Sequence, residues 1–282
     1  MPDAGEAGPA PSEPEHGAPG MGRATPTPAV GPESGLSERS PDRPGRPGPG
    51  KALLVVLGVL VLAAGGFAVI AKRHHDRQNQ PIRVSGIPAT VSTPLATLML
   101  LSPLPAKPAP GFTLVDQYGH EGSLSDFRGR AVVLEFMDSH CTDICPIVSQ
   151  EFVNAYHDLG KAASHAVFIA INVNTYHAAV SDVAAFSQEH QLDTIPNWHF
   201  FTGSTAVLQA VWNSYGVVVQ APSPSADIVH SSFIFFIDAK GNERYLADPT
   251  DDHTASGAAF LTAGALSSWG RGIALVSRSI SQ

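Results

Sequence analysis

The spacing of apolar and polar positions divides the chain into four stretches. Residues 1–51 contain no apolar run. Ala52–Ala71 is an unbroken series of 20 uncharged, mostly apolar residues bracketed by Lys51 and Lys72. Residues 72–108 are polar and then proline-punctuated, and they read as a linker with one apolar patch, Leu95–Leu101, that is a candidate for packing on the C-terminal domain. From residue 109 to 282 the pattern is that of one α/β domain. "FTLVDQYGHEGSLSDF" predicts a short strand, a Tyr-Gly turn and a second short segment. "AVVLEFMD" (131–138) and "AVFIAINV" (166–173) are apolar runs of strand length, as central buried strands are. Helical spacing comes next in "PIVSQEFVNAYHDLG", opening at Pro146 and closing at Gly160, and again over 178–192 and 205–216. "SFIFFID" (232–238), the "AKGN" turn and "ERYLA" predict a hairpin, and "AAFLTAGALSSWGRG" a last helix. Strands that alternate with helices and end in a hairpin imply a mixed sheet covered on both faces.

Composition sharpens the first two stretches. Residues 1–50 hold half of the 24 prolines and no aromatic or isoleucine side chain, too little apolar surface to offset the entropy of ordering. The tail is therefore expected to be disordered. A helix over 52–71 would be roughly 30 Å long, the thickness of a bilayer's hydrocarbon core. It has no polar face and follows a long tail, so a single uncleaved transmembrane span fits better than a core helix or a signal peptide. Charge does not orient that span. Arg39, Arg43, Arg46 and Lys51 precede it, and Lys72, Arg73, Arg77 and Arg83 follow it. A net charge of −8 argues against a nucleic-acid partner.

The chemistry concentrates in "DSHCTDICP", which contains the only two cysteines, Cys141 and Cys145, with three residues between them. They lie where a central strand hands over to a helix, the edge at which α/β folds place their sites. The first helical amides and the helix dipole favour a thiolate there, the form that attacks disulfides and binds metals. As a plain staple, so small a ring would constrain the unfolded chain by only roughly 2 kcal/mol. Redox exchange and metal binding both remain open. Two thiolates favour Cu(I), and one imidazole would complete a three-coordinate site. Of the twelve histidines, His230 stands just before the "SSFIFFID" strand, which in such folds passes beside the cysteine loop. His140 adjoins Cys141, but adjacent side chains in a tight loop diverge. His199 is expected to pack or cap, and His157, His165 and His190 to lie on the surface.

The order "RGRAVVLEFMDSHCTDICP", "NWHFFTGS", "VHSSFIFFIDAKGNERY" resembles the Sco/SenC family of membrane-anchored, thioredoxin-like copper proteins. The likeness covers about residues 109–270 and the single span. Cys141, Cys145, Pro146 and His230 match the family's Cys-x-x-x-Cys-Pro and its distant histidine, and Asp143 falls where the family often has Asp. The resemblance implies a thioredoxin-like fold, with the tail cytoplasmic and the domain on the extracytoplasmic side of the cell membrane. It implies copper held by Cys141, Cys145 and His230, and a disulfide-forming, redox-active role for the two cysteines. Its partners would be the copper-bearing subunit of cytochrome c oxidase and a thiol reductant protein. Thr142 stands where the family commonly has Pro. "INVNTYH" replaces the family's Val-Asp-Pro segment and lacks the Asp linked there to the copper-bound state, so Cu(I) is the expected form. The competing expectation is a tethered thiol–disulfide oxidoreductase or peroxidase. Against it stand the Cys-x-x-x-Cys spacing and the lack of a proline before "FIFFID", where His230, Ser231 and Ser232 are found.

Overall fold

Every residue of the two apolar runs Ala131–Met137 and Ala166–Asn172 is buried, and the runs pair in parallel at the centre of a six-stranded sheet. The computed structural model describes Gly65, Gly66, Lys72 and residues 85–282. The expected tail (1–51) and, apart from Gly65 and Gly66, the expected span (52–71) lie outside the described residues. Among the described residues no helix is long and apolar enough to cross a membrane.

In chain order the elements are α1 (Thr93–Leu98), β1 (Ser102–Pro108), β2 (Thr113–Val115), β3 (Glu121–Ser123), β4 (Ala131–Met137), α2 (Ile144–Leu159), β5 (Ala166–Asn172) and α3 (Val180–Glu189). Then come β6 (Trp198–Phe201), α4 (Thr205–Tyr215), β7 (Val219–Gln220), β8 (Val229–His230), β9 (Ile234–Ile237), β10 (Asn242–Ala247), β11 (Asp252–His253), β12 (Ala259–Phe260) and α5 (Ala263–Ile280). The main sheet runs β1-β10-β9-β4-β5-β6. β4, β5 and β6 are parallel, whereas β9, β10 and β1 join antiparallel, giving the mixed α/β architecture that the sequence implied. Alternation along β4 divides the core between the two faces. Ala131, Val133 and Met137 pack with Phe152, Phe168 and Trp269; Val132, Leu134 and Phe136 pack with Ile169, Phe201 and Trp212 on the other side.

Several elements differ from expectation for physical reasons. Residues 93–108, read as linker, belong to the fold. The apolar patch Leu95–Leu101 packs on the domain as expected, with Met99 fully buried, and β1 is one of the two edge strands, where prolines are tolerated because the outward amides need no partner. "WHFF", assigned to no element, is β6, paired with β5 from Phe168↔Trp198 onward. The last helix runs eight residues past its expected end at Gly272. Gly270 and Gly272 look like stops but serve close packing: a β-carbon on Gly270 would meet Asn154 Cβ of α2 at 2.5 Å. Helix α2 starts at Ile144, two residues before Pro146, which its first turn accepts because amides there have no intrahelical partner. Cys145 is thereby drawn into the helix.

Candidate functional site

Strand β4 ends at Met137, and the chain turns through Asp138–Ser139–His140–Cys141 into α2. Asp138 organises this turn. Its Oδ1 accepts the His140 N–H at 2.8 Å and the Asn174 side-chain amide at 2.7 Å, and its carbonyl accepts the Cys141 N–H at 3.2 Å. Ser139 Oγ donates to the His177 carbonyl at 2.7 Å, which ties the loop to the segment after β5. Asn172 and Asn174, in the "INVNTYH" segment, are both buried, and their amides brace the same region.

The N-cap residue of α2, Asp143, makes no side-chain cap. Instead the Cys145 N–H donates to Cys141 Sγ at 3.4 Å, so a sulfur occupies the place of the usual capping oxygen. Both cysteines are free thiols; Cys141 is half-buried and Cys145 fully buried. The Cys145 S–H donated to Cys141, helped by the backbone amides of Asp143 and Cys145, holds the Cys141 thiol below the ordinary range against the opposing effect of burial. The same hydrogen bond, with burial, pushes Cys145 well up. Cys141 is therefore the more acidic thiol and the one that meets solvent, and Cys145 the less acidic thiol behind it.

His230, the last residue of β8, lines the same cavity of about 950 Å³ as Cys141, together with His140, His177 and Asp138. Its Nδ1 lies 3.2 Å from the Ser231 carbonyl, which as acceptor leaves Nε2 the nitrogen with a free lone pair. Burial lowers its pKa and favours the neutral, metal-binding form. The structure thus brings the cysteine loop and His230 to one cavity but does not close them on one point. Among the described residues, the clusters of three whose ligand atoms lie within 4.8 Å of one another are His140–His177–Asp182 and Asp143–Asp251–His253. His199 packs as expected, its ring parallel to Phe201 at 5.6 Å. His157 and His165 are exposed, whereas His190 is half-buried against Phe186.

Sequence reasoning missed two carboxyls behind the thiols. Glu135 of β4 and Glu151 of α2 are fully buried, and none of their four oxygens has a hydrogen-bond partner. Burial pushes both pKa values well up, and charge on Cys141 raises Glu135 further, so the site favours the neutral form of both acids. A glutamate inside the otherwise apolar "AVVLEFM" was the available signal. His177 had none, because only the fold brings it beside His140.

The family model described as SCO1/SenC matches residues 103–261, more than half of the chain. Among curated relatives, the SCO1 protein homolog of Bacillus subtilis is 21% identical over 132 residues, covering 46% of this chain and 68% of that protein. The mitochondrial SCO2 homolog of Homo sapiens is 30% identical over 138 residues, 46% of this chain and 50% of that protein. The chain thus spans about half the length of the mitochondrial relatives it matches. Among solved structures, Arabidopsis thaliana ScoI with copper bound is similar in fold, with a TM-score of 0.50 at 20% identity over 61% of this chain and 99% of that one.

Proposed function

The chain belongs to the SCO1/SenC family, and from that membership we propose that it is a copper carrier whose Cys141, Cys145 and His230 hold one Cu(I). In this reading the cargo goes to the copper-bearing subunit of a cytochrome c oxidase. The observation that carries the proposal is the shared cavity, with the Cys141 thiol and the half-buried His230 lining one space and the Cys145 N–H donated to Cys141 Sγ. The donor set fits the cargo, since two soft sulfurs and a neutral imidazole suit Cu(I). Cys141 Sγ is positioned by the helix amide, and Cys145 must release its proton to ligate, so loading is coupled to proton release. Closure of the set requires the His230 segment to approach the thiols. The apolar run 52–71 would anchor the domain on the extracytoplasmic side of the cell membrane, close to such a partner.

A second reading rests on the unequal thiols. The Cys141 thiolate attacks a partner disulfide, forming a mixed disulfide and releasing one partner thiolate. Cys145, on losing its proton, then attacks Cys141 Sγ, forming the Cys141–Cys145 disulfide and freeing the second partner thiol. A thiol reductant protein would reset the pair. Reducing the oxidase subunit's copper-site thiols and delivering copper to them would use the same two sulfurs. Competition between the reduced full chain and a chromogenic Cu(I) chelator separates the readings. The carrier withdraws one Cu(I) per chain, and Cys141→Ser or Cys145→Ser abolishes this. A chain that withdraws none, yet turns over a disulfide substrate, is an oxidoreductase.

A further inference from the structure

His140 and His177 lie face to face beside the thiols, with ring centroids 3.6 Å apart and planes at 22°. With Asp182, in the first turn of α3, they offer two ring nitrogens and a carboxylate oxygen within 4.8 Å of one another. Neither cysteine belongs to that cluster. The backbone under both rings is fixed. His140 N–H is held by Asp138, and His177 donates its N–H to Asn174 Oδ1 at 3.1 Å. The His177 carbonyl accepts from both Ser139 Oγ and the Asn172 amide, so the residue before His140 is bonded to His177. By contrast, among the described residues neither imidazole makes a hydrogen bond, and Asp182 engages only Oδ2, with the Ala179 N–H at 3.0 Å. Two imidazoles without hydrogen-bond partners and one unengaged carboxylate oxygen are thus held at short range. The other such cluster differs, because His253 Nε2 already faces carboxylate oxygens of Asp143 at 3.8 Å and Asp251 at 3.5 Å.

We infer that His140, His177 and Asp182 form a second metal site, distinct from the thiols, that takes one divalent transition-metal ion. Two imidazoles and a carboxylate are borderline-to-hard donors, poorly suited to Cu(I) but well suited to Cu(II), which stands highest in the divalent affinity order. The stacked rings must turn to converge on the ion. Both histidines line the cavity that also holds Cys141 and His230. The domain therefore presents a nitrogen–oxygen site for the oxidised ion beside a sulfur site for the reduced one.

The test uses the full chain carrying Cys141→Ser and Cys145→Ser, titrated with Cu(II) against glycine as competitor and read by electron paramagnetic resonance and metal counting. The expected result is one Cu(II) per chain with hyperfine structure from imidazole nitrogen. Adding His177→Ala weakens it tenfold or more, and Asp182→Asn, which keeps the carbonyl oxygen that caps α3, weakens it severalfold. Circular dichroism confirms that each variant is folded. No Cu(II) held against glycine, or equal binding after both substitutions, overturns the site. In the chain with intact cysteines, His177→Ala is expected to leave Cu(I) binding unchanged; loss of Cu(I) there would make His177 part of the thiol site and overturn the second one. A chain that binds Cu(II) without its cysteines but no Cu(I) with them contradicts the proposed function and leaves this site standing.

Discussion

The cysteine loop and the His230 hairpin face one cavity, but they are built to different standards. The loop comes directly after a strand buried at every position and is fixed by hydrogen bonds through Asp138, Asn174 and Ser139. The hairpin is a two-residue ladder of β7 and β8, joined by Ser231 N–H to Val218 O at 3.1 Å and Val218 N–H to Ser231 Oγ at 3.4 Å, and its Val229 is 62% exposed. Few buried contacts and short ladders mark the segments that open at low free energy. Under the proposed function, the difference means that the sulfur half of the site would be preorganised and the histidine half would be the part that adjusts when copper arrives.

The sharpest way to break that comparison is ligand removal. Cys145→Ser should lower Cu(I) affinity by more than about 100-fold, beyond what supporting groups around a metal usually contribute. His230→Ala should cost less, on the order of 10-fold, because part of that ligand's interaction is spent in moving the hairpin. Chelator competition measures both, and equal losses would mean that His230 is as preorganised as the thiols. Next in size is stability. Asn174→Ala strips a partner from buried Asp138 and should destabilise the fold by about 1–3 kcal/mol, read by thermal melting. Ser231→Ala in the hairpin should stay within about 0.5 kcal/mol. If the two were equal, the loop would not be the stiffer half.

Two pH profiles probe the loop from inside. Cys141, held low by the Cys145 S–H, should alkylate at a lower pH than an ordinary thiol, and Cys145→Ala should move that profile upward. Rapid labelling of Cys145 in the folded chain would contradict its burial. Glu135 and Glu151 have folded pKa values raised above their unfolded ones, so their contribution is fully present below the ordinary carboxylate range and is lost as pH rises through the folded values. Glu135→Gln should therefore flatten the fall in stability with rising pH, measured by denaturant unfolding across the pH range. An unchanged slope would mean that the carboxyl is not protonated in the native state.

Much of the sheet and of the sulfur half of the site could be read from the chain, because both announce themselves locally. Buried parallel strands are continuous apolar runs, and a Cys-x-x-x-Cys-Pro sequence after such a run fixes the thiols to a helix start. What escaped was tertiary. Four residues of "WHFF" are too short to separate strand from loop, and the prolines of 102–108 conceal an edge strand whose partner, β10, lies far along the chain. Gly270 and Gly272 read as helix stops because their value lies in the neighbour they admit, α2 for Gly270 and Met99 for Gly272. The stacking of His140 on His177 joins residues from two different strand ends and has no sequence period.

The measurement that bears most directly on the central claim is X-ray absorption at the copper edge of the full chain, reduced and loaded with one equivalent of Cu(I). The expected spectrum is that of a three-coordinate ion with two sulfur scatterers and one nitrogen, the nitrogen disappearing in His230→Ala. Copper bound through nitrogen and oxygen alone, or a spectrum unchanged by His230→Ala, would contradict it.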